Sequence, residues 1–322
     1  MDQAIRLSSP GGVERLEIIT WPPAEPGPDE VRIRHEAIGV NFIDIYHRTG
    51  LYPLPSPAIL GVEGAGRIDA IGANVRDLAV GQRVAYAGLP GAYASTRLLP
   101  AWRAVPLPDA ISTDCSAAAL LRGLTVHMLI TRTYPVSEGS VLLVHAAAGG
   151  VGGMLTRWAK HLGATVIGTA GSAEKAEAAR QNGADHVIVG RQADLVAEVA
   201  RLTAGRGVDF AVDGIGGNVL AKTLACVRRF GTVASIGQAA GPIPPIAVEE
   251  LGPLRSLSLA RPSVMAYTAE RETYPSAARA VLNAMARGIT AEIGQTYPLA
   301  QAAQAHADLE AGRLIGAAIL RP

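Results

Sequence analysis

Cysteine is scarce in this chain of 322 residues, which holds only Cys115 and Cys226. Two isolated thiols can build neither a disulfide framework nor a four-thiolate zinc site. At about 150 residues per domain, the length predicts two domains. Domains of that size bury enough apolar surface to be stable without covalent or metal cross-links.

An excess of charge of either sign is also missing. The 29 Lys and Arg residues nearly balance the 28 Asp and Glu residues, and the formal net charge is +1. No basic run is longer than Arg228-Arg229. Such a chain has little electrostatic attraction for duplex nucleic acid or for an anionic membrane surface, so the sequence argues against both as partners.

Long apolar runs are absent, although the mean hydropathy is +0.23. No stretch approaches the roughly 18–20 apolar residues of a membrane-spanning helix. The first residues, MDQAIRLSSPGG, have no apolar core behind a basic start and therefore predict no signal peptide. With 49% hydrophobic and 18% charged residues, the chain is expected to be a soluble, cytoplasmic, globular protein.

The first 110 residues contain short segments of alternating polarity separated by Pro- and Gly-rich turns. Four of these segments, listed here, have the pattern of strands: Val31–Arg34, Arg67–Ile71, Arg83–Tyr86 and Tyr93–Leu98. The pattern predicts a compact antiparallel β domain, for which a barrel is one architecture.

Residues 139–260 instead alternate apolar strands with helical segments. The predicted strands are Val141–His145, Ala164–Thr169, His186–Val189, Val208–Val212, Thr232–Ile236 and Ser256–Ala260. Six strands that alternate with helices predict a doubly wound parallel sheet, so the fold class is α/β. Residues 263–322 add helices at about 270–287 and 299–312 and a strand at Ile315–Leu320. This tail is too short to fold alone and must pack on another region.

A glycine-rich turn, HAAAGGVGG at 145–153, follows the first of these strands and begins a helix. This is the context of a dinucleotide-binding fingerprint, with Ala147 in place of the first glycine. Gly149 would let the backbone approach a pyrophosphate, and Gly152 would let the helix pack closely on the strand. A turn without a ligand is the alternative, and the alternation of strands and helices favours the nucleotide. The predicted contact residues are Ala147, Gly149, Gly150, Val151 and Gly152.

A second glycine string, Gly61–Gly66, lies in the β-rich region and has no helix after it. We interpret these glycines as bends in a barrel rather than as a second nucleotide site.

The second strand of the doubly wound region indicates which nicotinamide cofactor binds. An NAD site usually has an acidic residue at the tip of this strand, where it binds the ribose hydroxyl. Here the tip reads Gly168–Ser172 without an acid, and Lys175 follows. The Ser172 hydroxyl and the Lys175 cation suit a 2′-phosphate, so NADPH is predicted. The alternative is that Lys175 is a solvated helix residue that binds no phosphate, and the neighbouring negative charge of Glu174 favours this alternative.

Five sequence segments together resemble one family. They are NFIDIYHRTGLYP at 41–53, GVEGAG at 61–66, GLTV at 123–126, HAAAGGVG at 145–152 and ARPS at 260–263. The chain resembles the zinc-free quinone oxidoreductases, the zeta-crystallin branch of the medium-chain dehydrogenase/reductase superfamily. The resemblance covers essentially the whole chain. It implies a GroES-like catalytic domain from residues 1–122 and 263–322, and an inserted Rossmann domain from residues 123–262.

Zinc enzymes of the same superfamily have a His where this chain has Val62, an upstream Cys and a four-Cys lobe. Val cannot ligate a metal, and no Cys precedes Cys115, so we predict no catalytic metal. Without a Lewis acid, alcohol oxidation loses its usual driving group. Reduction of an electron-poor acceptor, such as a quinone or an activated alkene, remains accessible.

The resemblance also implies a set of site residues. It places Asn41, Tyr46 and Tyr52 around the substrate beside the nicotinamide, where amide and phenol groups suit a planar ring with carbonyl oxygens. The alternative is that both tyrosines are amphipathic loop or barrel-lid residues without a role in binding. Further cofactor contacts implied by the resemblance are Asn41 itself, Thr125, Gly237, Gln238 and Arg261. The family often has a Tyr near the 2′-phosphate, but this chain has Gly190 there, so Arg191 must compensate.

The function implied by the resemblance is an NADPH-dependent quinone reductase that uses no metal. Reduction of an activated alkene, of the enone or haloacrylate type, is the main alternative. A role as an RNA-binding or structural, crystallin-like protein is a minor alternative. The near-zero charge disfavours RNA binding, and the intact Gly149 and Gly152 argue against a purely structural protein. Relatives pair the edge strands of their Rossmann sheets, so the short strand near Ser256–Arg261 predicts a homodimer.

Overall fold

A computed structural model describes residues 1–322, which divide into two compact units. The first unit combines Met1–Leu124 with Val264–Pro322, and the second consists of Thr125–Ser263. None of the helices has the length and apolar character that a membrane span requires. The first unit is therefore discontinuous in sequence, whereas the second is a single stretch of chain.

The regular elements, apart from single turns of 3₁₀-helix and a π-helical turn at Leu129–Thr133, are listed here in chain order. They are β1 Gln3–Leu7, β2 Leu16–Thr20, β3 Glu30–Val40, α1 Phe42–Thr49, β4 Ala58–Ile59, β5 Glu63–Ile71, β6 Arg83–Ala87, β7 Thr96–Pro100, β8 Val105–Pro106, α2 Thr113–Met128, β9 Val141–Val144, α3 Gly150–His161, β10 Thr165–Ala170, α4 Ala173–Gln181, β11 His186–Val189, α5 Leu195–Leu202, β12 Val208–Asp213, α6 Val219–Ala225, β13 Val227–Ser235, β14 Ser258–Ala260, α7 Val264–Ala269, α8 Thr273–Met285, β15 Ile293–Pro298, α9 Ala302–Glu310 and β16 Ala317–Arg321.

The first unit is built around the long strand β3. β3 pairs with β5 along most of its length, with β7 near its start and with β16 at Ile38–Val40. All three pairings are antiparallel, and β6, β8 and β15 complete this seven-stranded sheet. A smaller sheet has the order β2-β1-β4. Apolar side chains from both sheets and from α9 share one core, including Ile5, Ile33, Tyr93 and Ala305.

The glycines at 61–66 lie in this β-rich unit, as expected. Gly64 and Gly66 belong to β5, where a Cβ on Gly66 would lie 2.0 Å from the carbonyl oxygen of Arg34 on β3. The register of β3 and β5 shifts between His35 and Ala37, which marks a bulge. Glycine is therefore required for a close backbone approach at a bend in the sheet.

The second unit contains the predicted parallel sheet. Its six strands have the order β11-β10-β9-β12-β13-β14, and every neighbouring pair is parallel. This is the strand order of a Rossmann fold, which reverses direction between β9 and β12. Ligands of such folds bind in the crevice at the carboxyl ends of the strands next to this reversal. The predicted α/β fold class is thus confirmed.

Several predicted boundaries are wrong. β13 begins at Val227 rather than at Thr232. The helix expected at about 270–287 corresponds to α8, whereas α7, which precedes it, was not predicted. β15, which lies at the edge of its sheet, was not predicted. Its sequence IGQTYP is largely exposed and lacks the alternation of apolar residues on which strand prediction depends.

Candidate functional site

The helix α1 in the first unit places the predicted acceptor-binding residues. Asn41 is its N-cap residue, and the backbone N–H of Asn41 donates to Oδ2 of Asp44 at 2.8 Å. Asn at the N-cap with an acidic residue three positions later is a strong helix start. Gly50 ends the helix with a φ of 81°, a left-handed conformation that favours glycine. Sequence reasoning did not predict this helix.

Tyr46 lies on α1, and Tyr52 follows shortly after the helix. The backbone N–H of Tyr52 donates to the carbonyl oxygen of Tyr46 at 3.1 Å. Their rings meet edge to face, with centroids 5.2 Å apart. Tyr46 is 8% exposed and Tyr52 is half-buried, so the two residues form one aromatic pair rather than separate surface side chains.

The buried carboxylate of Glu63 holds the side chain of Asn41 in place. Nδ2 of Asn41 donates to Oε1 of Glu63 at 2.7 Å, and Glu63 is fully buried. The backbone N–H of Leu121 donates to Oε2 at 2.7 Å, and Arg122 donates to Oε1 at 3.3 Å. Burial raises the pKa of Glu63, while the charge of Arg122 acts in the opposite direction. Three donors on one carboxyl group favour its ionised form.

Sequence reasoning missed this carboxylate. Glu63 was only part of a glycine string, and its partners lie 22 and 59 positions away. The available signal was a charged residue inside an apolar, glycine-rich segment, since a buried charge must find partners. Asp44 is a second such residue, fully buried, and it accepts from the Tyr93 hydroxyl at 3.0 Å. Burial raises the pKa of Asp44 to about 7.

The side chains present do not fit a zinc ion. Val62 is fully buried and offers no donor atom. Cys115 lies against the Thr290 hydroxyl, and Cys226 is in the other unit, where burial raises its pKa to about 12. No group of three or more His, Cys, Asp or Glu side chains is arranged to hold a metal.

The glycine-rich turn of the second unit connects β9 to α3. Ala146 takes a left-handed φ of 50°, and Gly149 is the N-cap residue of α3. A Cβ on Gly152 would lie 2.3 Å from the carbonyl oxygen of Ala146, so the helix packs on the turn as only glycine permits. Ala147 is buried, and a Cβ on Gly168 would lie 2.7 Å from the Ala147 Cβ.

The start of α3 offers backbone N–H groups of the kind that suit a pyrophosphate. The first backbone N–H groups of a helix have no partner within the helix, and they lie at the positive end of its dipole. Gly150, Val151 and Gly152 are the first three residues of α3. The turn thus brings together the predicted cofactor residues of the fingerprint, and its geometry fits a dinucleotide.

The ends of β10 and β11 carry the groups predicted to bind a 2′-phosphate. The Ser172 hydroxyl accepts from the backbone N–H of Lys175 at 3.3 Å and caps α4. A Cβ on Gly171 would lie 3.9 Å from Nε of Arg191, so this guanidinium reaches the end of β10. Gly190 takes a φ of 101°, a conformation that explains glycine at the position of the family's Tyr. The residues fit NADPH.

The remaining predicted cofactor residues have separate places in the second unit. Gly237 and Gln238 follow β13, and Arg261 follows β14 and donates to the Ser235 hydroxyl at 2.7 Å. The carboxyl ends of parallel strands lie along one edge of a sheet, so these residues share that edge with the glycine-rich turn. Thr125 is half-buried in α2.

Two family models match the chain. The alcohol dehydrogenase GroES-like domain matches residues 27–109, and the zinc-binding dehydrogenase matches residues 150–283. A quinone oxidoreductase of Pseudomonas aeruginosa is 42% identical over 325 residues, which cover 100% of both chains. A 2-haloacrylate reductase of a Burkholderia species is 40% identical over 306 residues, which cover 92% of each.

A comparison with solved structures finds proteins of the same kind. The crystal structure of Escherichia coli quinone oxidoreductase complexed with NADPH matches with a TM-score of 0.95 and 38% sequence identity, covering 99% of this chain and 100% of that one. Likeness in sequence and in fold therefore extends over both units. The chain belongs to the quinone oxidoreductase family of the medium-chain dehydrogenase/reductase superfamily.

Proposed function

We propose that this chain is an NADPH-dependent quinone reductase that works without a metal. The observation that carries the cofactor choice is the pair of cations, Lys175 and Arg191, beside a strand end that lacks an acid. Full-length likeness to quinone oxidoreductases supports the acceptor. NADPH, when bound, supplies the electrons that reduce the quinone.

The protein's own residues bind and orient the reactants. The glycine-rich turn and the start of α3 hold the pyrophosphate, and Ser172, Lys175 and Arg191 hold the 2′-phosphate. Thr125, Gly237, Gln238 and Arg261 complete the proposed cofactor contacts. Asn41, oriented by Glu63, would hydrogen-bond a carbonyl oxygen of the acceptor, while Tyr46 and Tyr52 offer flat apolar faces and hydroxyls to its ring.

Reduction of an activated alkene is the second candidate function. The observation that favours it is the 40% identity to the 2-haloacrylate reductase. An α,β-unsaturated carbonyl compound is, like a quinone, planar and electron-poor, and it carries a carbonyl oxygen that the same amide can bind.

A spectrophotometric assay separates these functions. The absorbance of NADPH is followed with 1,2-naphthoquinone, with a cyclic enone, with 2-chloroacrylate and with no acceptor. We expect the NADPH absorbance to fall rapidly with the quinone and slowly with the other acceptors or with none. A faster reaction with the alkenes would establish the second function, and no reaction with any acceptor would contradict both.

A homodimer built on β14 is part of the proposal. β14 pairs with β13 on one side and is the last strand of its sheet. Large apolar side chains are exposed on β13, where Phe230 is 76% exposed, and in the segment between β13 and β14, where Val248 is 77% and Leu254 is 79% exposed. The backbone N–H of Phe230 donates to the carbonyl oxygen of Arg255, so Phe230 lies near Leu254. Pairing two such edges would satisfy their backbone groups and cover these side chains. A cytoplasmic location stays a prediction of the composition.

A further inference from the structure

A chain of hydrogen bonds runs beneath the nucleotide-binding turn of the second unit. Nε2 of His145 lies 2.8 Å from Oγ1 of Thr223, which lies 2.8 Å from Oδ2 of Asp213. Nδ1 of His145 lies 3.2 Å from Oγ1 of Thr169, and the backbone N–H of Ala146 donates to that same oxygen at 3.2 Å. The chain of bonds therefore links Asp213 to the turn.

The direction of each hydrogen bond follows from the donors available. The other oxygen of Asp213 already accepts two backbone N–H groups, from Ile215 and Gly216, at 2.8 and 2.9 Å. Thr223 donates to the Asp213 carboxylate, because a charged acceptor binds its single proton more strongly than the Val219 carbonyl at 3.0 Å. Nε2–H of His145 then donates to Thr223.

The other end of the chain of bonds is equally constrained. Thr169 accepts from the Ala146 N–H and has one hydroxyl proton, which it donates to Nδ1 of His145. His145 is thus a neutral imidazole with its proton on Nε2. Burial lowers the pKa of His145, which favours the same neutral form against the opposite influence of Asp213.

These residues lie where the sheet reverses its strand order. His145 follows β9, Thr169 lies at the end of β10, and Asp213 ends β12. β9 and β12 are the neighbours between which the order reverses, and this is the crevice where a dinucleotide binds. Ala146 holds a left-handed φ of 50°, which a residue other than glycine keeps only where its surroundings enforce it.

We propose that His145 and Thr169 are positioning residues, which hold Ala146 in its left-handed conformation and thereby fix the backbone donors that bind the cofactor pyrophosphate. The proposal rests on the proposed function, because it assumes that the turn binds NADPH. It assigns a role to side chains that no glycine fingerprint identifies.

The test is the affinity of the purified protein for NADPH and for NADH, measured by titration calorimetry without a quinone. Thr169→Val keeps the shape of the side chain and removes the acceptor for Ala146. Loss of about one net hydrogen bond corresponds to a roughly fivefold higher Kd, and His145→Leu should have a similar effect. Both cofactors contain the pyrophosphate, so both affinities should fall by the same factor.

Two variants serve as controls. Thr169→Ser keeps the hydroxyl and should bind both cofactors as the wild type does. Thr165→Val makes the same change at the opposite end of β10 and should leave both affinities unchanged. Circular dichroism and the thermal midpoint of unfolding show whether each variant is folded.

The outcomes separate this proposal from the proposed function. Wild type that binds neither cofactor would contradict the proposed function itself. Wild type that binds NADPH, with Thr169→Val binding equally well, would overturn the positioning role alone. A Thr169→Ser variant as weak as Thr169→Val would also overturn it, since the hydroxyl would then not be the group that matters.

Discussion

The side-chain amide nitrogen of Asn41 lies 2.7 Å from Oε1 of Glu63 and donates a hydrogen bond to that buried carboxylate. A carboxylate accepts but cannot donate, so the amide has one orientation, with its carbonyl oxygen turned away from Glu63. Glu63 is fixed in turn by Arg122 and by the backbone N–H of Leu121. Asn41, which is proposed to contact the substrate, is therefore positioned by the Glu63 carboxylate, which is itself fully buried.

Glu63→Gln should strongly destabilise the protein. The glutamine amide has almost the same shape as the carboxylate, but it carries no charge to balance the buried Arg122 guanidinium. Its NH₂ group would also face the N–H donors that now bind Glu63. Breaking one half of a buried ion pair costs about 3–5 kcal/mol in the free energy of unfolding. Urea unfolding measures this loss. Glu17→Gln is the control, because its 2.7 Å pair with Arg6 is about 44% exposed, and exposed ion pairs contribute little to stability. Equal losses in the two variants would contradict the prediction.

Asp44→Asn should change how stability depends on pH. Burial raises the pKa of Asp44 to about 7 in the folded protein, against about 3.9 in an unfolded chain. Between these values the folded state binds the extra proton, so the stability contributed by wild-type Asp44 is full at low pH and is lost as pH rises toward 7. Over that window the free energy of unfolding of the variant should rise, relative to that of the wild type, by up to about 1.4 kcal/mol per pH unit. Above the window the difference should stay constant.

Denaturant unfolding of both proteins at pH values from 4 to 8 measures this difference. Asp109→Asn is the matched control, because the Asp109 side chain is fully exposed, and its difference from wild type should stay flat. A flat difference for Asp44→Asn would show that the carboxyl group is ionised throughout.

Lys175→Ala and Arg191→Ala should each weaken the use of NADPH but not of NADH. A charge-assisted hydrogen bond to a phosphate contributes about 1.5–3 kcal/mol, which corresponds to a roughly ten- to hundred-fold higher KM for NADPH, with exposure pulling the effect toward the lower value. The kcat with either cofactor should change little, because the 2′-phosphate is remote from the reacting carbon. NADH has no 2′-phosphate, so its KM should not change.

Arg180→Ala controls for the loss of a positive charge on the same helix, since Arg180 is exposed and pairs with Glu177. Its KM values should equal those of the wild type. A wild type that prefers NADH, or equal losses with both cofactors in Lys175→Ala, would place the phosphate elsewhere.

Phe230→Glu should convert the proposed dimer into a monomer. A charge at this side chain, which is 76% exposed beside the edge strand β14, would be desolvated on pairing. Light scattering at micromolar concentration measures the molar mass. Val80→Glu introduces the same charge at a residue that is 61% exposed in the other unit, and it should remain a dimer. A monomeric wild type would contradict the proposed assembly.

The second unit was largely predictable because its signals are local. Buried parallel strands are continuous apolar runs, as in Val141–Val144, and glycines mark where the following helices begin and end. The Ser172 side chain caps α4, as is typical of a serine that directly precedes a helix. Parallel pairing and strand order then follow from the alternation of strands and helices.

The polar interior of the first unit could not be predicted in this way. The partners of Glu63 are brought to it by sheet and helix packing, and no local pattern encodes a contact across 59 positions. The His145 chain of bonds has the same cause, because Thr169 and Thr223 come from different elements. α1 was missed because its residues were taken as a motif, although Asn41, Asp44 and Gly50 are ordinary start and stop signals.

The strand β16 has a consequence for the order of folding. It lies between β15 and β3 in the sheet of the first unit, and Ile319 pairs with Gly39. The ribosome synthesises β16 only after all of Thr125–Ser263, so β3 leaves the ribosome well before this neighbouring strand exists. Closing so long a segment of chain is entropically costly, and contacts between residues distant in sequence form slowly. The unit that begins the chain should therefore complete its fold after the inserted one, the reverse of the usual order during synthesis.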